Sequence, residues 1–137
     1  MDTLSPEERS KTMARVRSKN MRPELLVRKL VFALGYRYRL HVRDLPGTPD
    51  LVFCSQKRVI FVHGCFWHRH ANCALARMPK SRVDFWTQKL EGNRERDEKN
   101  NLALAREGWN ILTIWECQQK DTAHLEGRIR RFLDAKR

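Results

Sequence analysis

Val59-Ile60-Phe61-Val62-His63-Gly64-Cys65-Phe66-Trp67-His68-Arg69-His70-Ala71-Asn72-Cys73 is the stretch on which the reading of this chain turns. Its first four residues are an unbroken apolar run, the pattern of a strand buried on both faces. The run breaks at His63-Gly64. Two cysteines, two further histidines, a phenylalanine and a tryptophan then fall within the nine residues Cys65 to Cys73. A core strand that runs out into ligand-type and aromatic side chains reads as the edge of an active site. The flanking segments are read for what they bring to that edge.

Upstream, Asp44-Leu45-Pro46-Gly47-Thr48-Pro49 is a rigid turn. Asp50 then opens a short apolar strand, Leu51 to Cys54, in which Cys54 is expected to be a buried thiol without chemistry. Ser55 to Arg58 turns the chain back into Val59, so the two strands form a hairpin that brings Asp50 close to His63. Tyr36 to Val42 alternates aromatic or apolar residues with basic ones, as a half-exposed strand does. Before it, a helix is expected over Pro23 to Leu34, with Leu26, Val27, Leu30, Val31 and Leu34 as its stripe and Gly35 as its stop. Glu24 in its first turn reads as a partner of the helix dipole. Ser5-Pro6-Glu7-Glu8 is a capping sequence for an earlier helix. The segment after it, Arg9 to Arg22, carries six basic residues and no acid, a density suited to phosphate contacts.

Downstream, Ala74 to Lys80 is a loop. Ser81 with Asp84 marks the start of a long polar helix that runs to about Arg106 and carries Lys89, Asn93, Arg94 and Arg96. Gly108 ends it. Trp109 to Trp115 is a last apolar strand, followed by Glu116-Cys117 and an amphipathic helix that buries Leu125, Ile129, Phe132 and Leu133. The order predicts one α/β domain over residues 1–137, a mixed central sheet flanked by helices, with residues 1–22 as a basic arm.

The 137 residues suffice for one buried core, and 28 Lys and Arg against 16 Asp and Glu leave a net charge of +12. That excess in a small folded chain points to a polyanion, nucleic acid first. No apolar run approaches the roughly 20 residues that span a bilayer, so no membrane role is expected. The polar start MDTLSPEERSK gives no sign of a secretory leader, and a cytoplasmic protein is the expectation. Four cysteines in such a chain read as reduced thiols or metal ligands.

Cys65, His70 and Cys73, joined by Cys117 directly after a core strand, would form the three-thiolate, one-imidazole set of a closed structural zinc site. The competing reading is a pair of buried thiols beside an exposed histidine. His63 and His68 stay outside the set and are free to transfer protons. Pro49-Asp50 at a strand start resembles the first half of a nuclease pattern whose carboxylate binds Mg2+. The second half fails, because Val62-His63-Gly64 offers neither acid nor lysine.

Taken together, several blocks resemble the very-short-patch repair (Vsr) DNA mismatch endonucleases. They are Arg9-Ser10-Lys11-x-Met13, Leu45-Pro46-Gly47-x-Pro49-Asp50, His63 to His68 with His70 and Cys73, Phe85-Trp86, Asn93-x-x-Arg96-Asp97 and Trp115-Glu116-Cys117. The resemblance implies a variant of the restriction-endonuclease core with a structural zinc site. It implies Mg2+-dependent nicking 5′ to the T of T:G mismatches that arise from deamination of 5-methylcytosine, leaving a 5′-phosphate and a 3′-hydroxyl. Residue by residue, it implies that Asp50 and the backbone carbonyl of Val62 bind Mg2+. His68 transfers the proton in hydrolysis, while His63 and Glu24 support phosphate, water or a second metal. Cys65, His70, Cys73 and Cys117 hold Zn2+. Phe66, Trp67 and Trp86 form an aromatic wedge entering from the major groove, Met13 enters from the minor-groove side, and Lys89 and Asn93 read base edges. Arg69 and Ala71 interrupt a histidine run that is often longer in the family, and Asn72 reads as an insertion before Cys73. The implied partner is mismatched double-stranded DNA, with the MutL repair protein as a family expectation, and one asymmetric nick requires only a monomer. Two other functions compete: a non-catalytic zinc-stabilised DNA-binding module, and a nuclease of the same fold with another DNA substrate.

Overall fold

The computed structural model describes residues 22–135. The capping sequence at Ser5, nearly all of the basic arm and Met13 lie outside the described residues. The chain runs through α1 (Arg22–Ala33), β1 (Arg39–Leu40), β2 (Leu51–Phe53), β3 (Arg58–His63), α2 (Val83–Arg106), β4 (Asn110–Trp115) and α3 (Thr122–Asp134). The strands form one mixed sheet in the order β1-β2-β3-β4, antiparallel at the first two pairings and parallel at the last.

β3 owes its apolar sequence to being covered twice. Ile60, with Leu51, Phe53 and Ile114 of its neighbours, packs against Val27 and Val31 of α1 and Leu125, Ile129 and Leu133 of α3. Val59 and Phe61, with Val52, pack on the opposite face against Leu104 of α2. The period-two alternation of a strand therefore sorts β3 between two cores. Each fully buried aliphatic side chain contributes about 1.5–3 kcal/mol by leaving water. The same alternation continues at the end of the strand, where Val62 packs with the first core and the His63 ring lies 5.5 Å from that of Phe61.

The structure departs from the sequence pattern in several places. The strand over Tyr36 to Val42 shrinks to Arg39–Leu40, because His41 takes a left-handed backbone (φ 48°) that ends pairing. Asp50 precedes β2 rather than opening it, and Cys54 starts a short 3-10 turn with its thiol exposed. Ser81 does not cap α2, whose N-cap position is Arg82 in a left-handed conformation without a side-chain cap. Gly47 is fixed by space as well as by its φ of +78°: a Cβ there would sit 3.1 Å from the Asn100 side chain and 3.2 Å from Phe61. The turn leading to Asp50 thus lies tight against α2.

Arg58 reads as a turn residue in the sequence, yet it begins β3 and is 3% exposed. Its guanidinium donates to the carbonyls of Leu133 and Ala135, taking up acceptors that the end of α3 leaves without helical partners. Replacing it leaves the Leu133 carbonyl unpaired in a buried position. Arg58→Ala is expected to cost about 2–4 kcal/mol of stability, read as a lowered urea midpoint with unchanged slope. A midpoint equal to wild type would show that α3 does not depend on this cap.

Candidate active site

Antiparallel register places Leu51 opposite Ile60, which carries Asp50 alongside the C-terminal end of β3. There the Val62 N–H donates to Asp50 Oδ2 at 2.7 Å. Burial pushes the Asp50 pKa up to about 7; the Val62 N–H works against this, and the neighbouring Glu24 carboxylate adds to it. Glu24 is only 6% exposed and is held by Arg28 and by His41, whose Nε2 lies 3.0 Å away. Glu24 stands in the first turn of α1, buried and ion-paired rather than solvated. His41 Nε2 also lies 3.7 Å from Asp50 Oδ1. One ligand atom from each of Glu24, His41 and Asp50 falls within 4.8 Å of the others, close enough to share a cation.

A second group stands across the same cleft. The His63 and His68 rings stack at 3.8 Å and 4°. His68 Nδ1–H donates to Asp97 Oδ2 of α2 at 2.6 Å, which fixes the tautomer and leaves Nε2 as the free acceptor. Burial lowers the His63 pKa to about 3, with the adjacent His68 adding and Asp97 opposing, so the His63 ring is neutral at pH 7. Its buried Nδ1 has no hydrogen-bond partner among the described residues. His63, His68 and Asp97 form another set of ligand atoms within 4.8 Å.

The third group is Cys65, His70, Cys73 and Cys117, again within 4.8 Å of one another. His70 Nδ1 lies 3.6 Å from Cys65 Sγ and 3.4 Å from Cys117 Sγ. Adjacent ligands of a tetrahedral ion with metal–sulfur and metal–nitrogen bonds of ordinary length stand roughly 3.5–3.8 Å apart, so these separations fit one. The Cys117 N–H donates to Cys65 Sγ at 3.4 Å. Burial pushes the Cys65 thiol up to about 12, a group that a bound cation would convert to thiolate. Trp115 stacks on His70 at 4.2 Å, and the Cys65 N–H donates to Glu116 Oε1.

Between the groups runs the tight loop Gly64 to Cys73, closed by His68 N–H to the Gly64 carbonyl and His70 N–H to the Cys65 carbonyl. Arg69 and Asn72 turn it through left-handed backbone. Phe66, Trp67 and Trp86 touch edge to face or tilted, with centroids 5.0 to 6.0 Å apart. Phe66 and Trp67 line a cleft of about 900 Å³ together with Glu24, Asp50, Val62, His63, His68 and Asp97. Trp86 and Lys89 do not line it. Asn93 does, and its Nδ2 donates to the Trp67 carbonyl at 3.1 Å, bracing the aromatic loop.

Sequence reasoning assigns no role to Asp97 or His41. A signal for Asp97 exists: Leu90, Asn93, Asp97, Asn100 and Leu104 share one helical face, and polar residues where a core stripe should be apolar mark a site. His41 gives no such signal, since its placement depends on a local left-handed turn.

No helix among the described residues is long and apolar enough to cross a membrane. The family model for DNA mismatch endonuclease Vsr matches residues 1–75. The type II nicking enzyme V.XorIIP of Xanthomonas oryzae pv. oryzae is 54% identical over 133 residues, 97% of each chain. The type II nicking enzyme V.NmeAIP of Neisseria meningitidis is 40% identical, covering 96% of this chain and 94% of its own. The DNA mismatch endonuclease Vsr of Escherichia coli K12 is 38% identical, covering 85% of this chain and 74% of its own. With a family model matching over half of the chain and relatives of this identity and coverage, the chain belongs to the DNA mismatch endonuclease Vsr family.

Proposed function

We propose that this protein is a DNA endonuclease that nicks one strand 5′ to the T of a T:G mismatch, by divalent-metal-dependent hydrolysis of the phosphodiester. One observation carries the reading: the Asp50 carboxylate, anchored on Val62, shares a single cleft with the His68–Asp97 pair and with the Phe66-Trp67 loop. Asp50, Glu24 and the Val62 carbonyl would hold Mg2+, and the buried carboxylate pair suits a hard cation. When bound, Mg2+ supplies charge stabilisation for the phosphate undergoing displacement.

The chain's own groups divide the remaining work. His68 accepts the proton of the attacking water at Nε2, and Asp97 stabilises the imidazolium through Nδ1. His63 stays neutral and offers a nitrogen to phosphate or water without adding charge. Phe66 and Trp67 stack against bases opened at the mismatch, with Trp86 behind them. Unstacking costs a few kcal/mol and is cheapest where pairing is already weak. Lys89 reads base edges beside them, and Asn93 joins it from the cleft wall. Met13 and the basic arm engage the other groove and the phosphates. Zn2+ is the ion we assign to Cys65, His70, Cys73 and Cys117, whose soft donors and separations suit it. The sheet of β1 to β4, with Asp50 at its working edge, supports kinship with the restriction-endonuclease core.

The test is a set of end-labelled duplexes carrying T:G, C:G or T:A at one position, with and without Mg2+. Nicking is expected only at T:G with Mg2+ present. Equal cutting of all three duplexes would point to a same-fold nuclease with another substrate, and binding without cutting to a DNA-binding module. Asp97→Asn is expected to lower kcat by about 10²–10⁴-fold with little change in DNA affinity, because it removes the charge behind His68 and not a DNA contact. Loss of affinity without loss of kcat would refute that division of roles.

A further inference from the structure

We propose that His41 is a nitrogen ligand of the divalent cation held at the Glu24–Asp50 carboxylates, and that it gives this site a preference for Mn2+ over Mg2+. The inference rests on the metal reading above and adds a ligand to it.

Three observations carry it. His41 Nε2 stands 3.0 Å from both carboxylate oxygens of Glu24 and 3.7 Å from Asp50 Oδ1, with the side chain only 10% exposed. Such separations suit neighbouring donors around one small ion, which for an octahedral cation lie roughly 3 Å apart. Second, the ring reaches this position through a left-handed backbone, φ 48°, a conformation costly for a residue with a Cβ. The His41 N–H donates to the Asp50 carbonyl at 3.3 Å, tying that turn to the residue whose side chain would share the ion. Third, His41 and both carboxylates line the same cleft as His68. Mg2+ favours oxygen donors and gives up water reluctantly, whereas imidazole suits first-row transition ions. Adding one nitrogen to the carboxylates therefore favours Mn2+.

The test uses the zinc-loaded full chain without DNA, titrated with Mn2+ and followed by electron paramagnetic resonance. Wild type is expected to bind Mn2+ with nitrogen modulation in the pulsed spectrum. His41→Gln is expected to weaken Mn2+ binding by about tenfold or more, remove that modulation, and alter Mg2+ competition much less. His41→Asn, whose side chain tolerates the left-handed backbone, should behave alike, and matching melting curves and zinc content exclude a folding defect. In nicking assays both variants should lower the Mn2+ to Mg2+ rate ratio. Retained Mn2+ affinity and nitrogen modulation in both variants would overturn the proposal and leave His41 as a prop for Glu24. Modulation that survives His41→Gln but disappears in His68→Ala would overturn it in favour of the other histidine group. Mn2+ binding unaffected by Asp50→Asn would instead sink the carboxylate metal site itself, a separate failure.

Discussion

Asp50→Ala should leave T:G nicking at about a thousandth of the wild-type rate or less while the protein still binds duplex DNA. The carboxylate is the one acidic group bonded to the end of β3 among the described residues, through the Val62 N–H, and Glu24 stands beside it without replacing that contact. On the proposed reading, DNA affinity rests elsewhere, on basic and aromatic residues. Single-turnover rates with electrophoretic binding measurements separate the two, and appreciable cutting by the variant contradicts the assignment.

The same residue should reveal itself in stability. In protein without a divalent cation at the cleft, burial raises the Asp50 pKa from its ordinary 3.8 to about 7. A raised folded-state value means the contribution to stability is fully present below the ordinary value and is lost as pH rises through 7. At pH 8 the buried carboxylate thus costs on the order of a few kcal/mol, and Asp50→Asn removes that cost. His63 has the opposite sign. Its value falls from 6.5 to about 3, so its contribution is present above 6.5 and is lost as pH falls through 3. The two trends offset each other in wild type, and the variant exposes them. Asp50→Asn is expected to melt higher than wild type at pH 8 and close to it at pH 4. A melting difference independent of pH would contradict the burial argument. An inactive variant more stable than its parent is the mark of a group kept for chemistry.

Cys117→Ser should cost several kcal/mol and lower the melting temperature by about 10 °C or more, with loss of bound zinc. Cys117 is the only cysteine or histidine of its group outside the Cys65–Cys73 loop, so its removal leaves the loop without a ligand-borne tie to the residues after β4, held there only by contacts such as the Trp115–His70 stack and the Cys65 N–H to Glu116 bond. Phe66, Trp67 and His68 all sit on this loop, so nicking should fall with the metal. Metal content by atomic emission, calorimetry and the nicking assay together check this. Cys54→Ser, at an exposed thiol, should change none of the three. Full zinc content and unchanged melting in Cys117→Ser would return the cysteines to the reading of buried thiols.

The strongest periodicities are legible in the sequence itself. The apolar run Val59 to Val62, the stripe of the first helix and the face of the last each announce their element, because burial on a fixed face leaves a fixed period. Asp50 near His63 follows from a short hairpin. What escapes the sequence is set by contacts distant along the chain or by unusual backbone. Arg58 resembles a turn residue because its partners, the carbonyls of Leu133 and Ala135, come from the far end of the chain. Cys54 suggests burial by continuation of a strand that in fact stops one residue earlier. Glu24 resembles an ordinary first-turn acid because nothing local reveals His41 folding over it.

The parallel pairing of β3 with β4 has a kinetic consequence. His63 lies opposite Trp115 in register, so Cys65 and Cys117, each two residues further on, emerge side by side. Cys65, His70 and Cys73 lie within nine residues and can meet before the sheet exists, whereas Cys117 arrives only when the parallel pair has closed. Parallel pairings across a long connection are slow to form. On the proposed zinc reading, the number of thiolates around the ion counts folding steps: two before closure, three after. With Co2+ loaded into the proposed zinc site, the colour of the thiolate complex would report, during refolding, the moment at which the two strands lock.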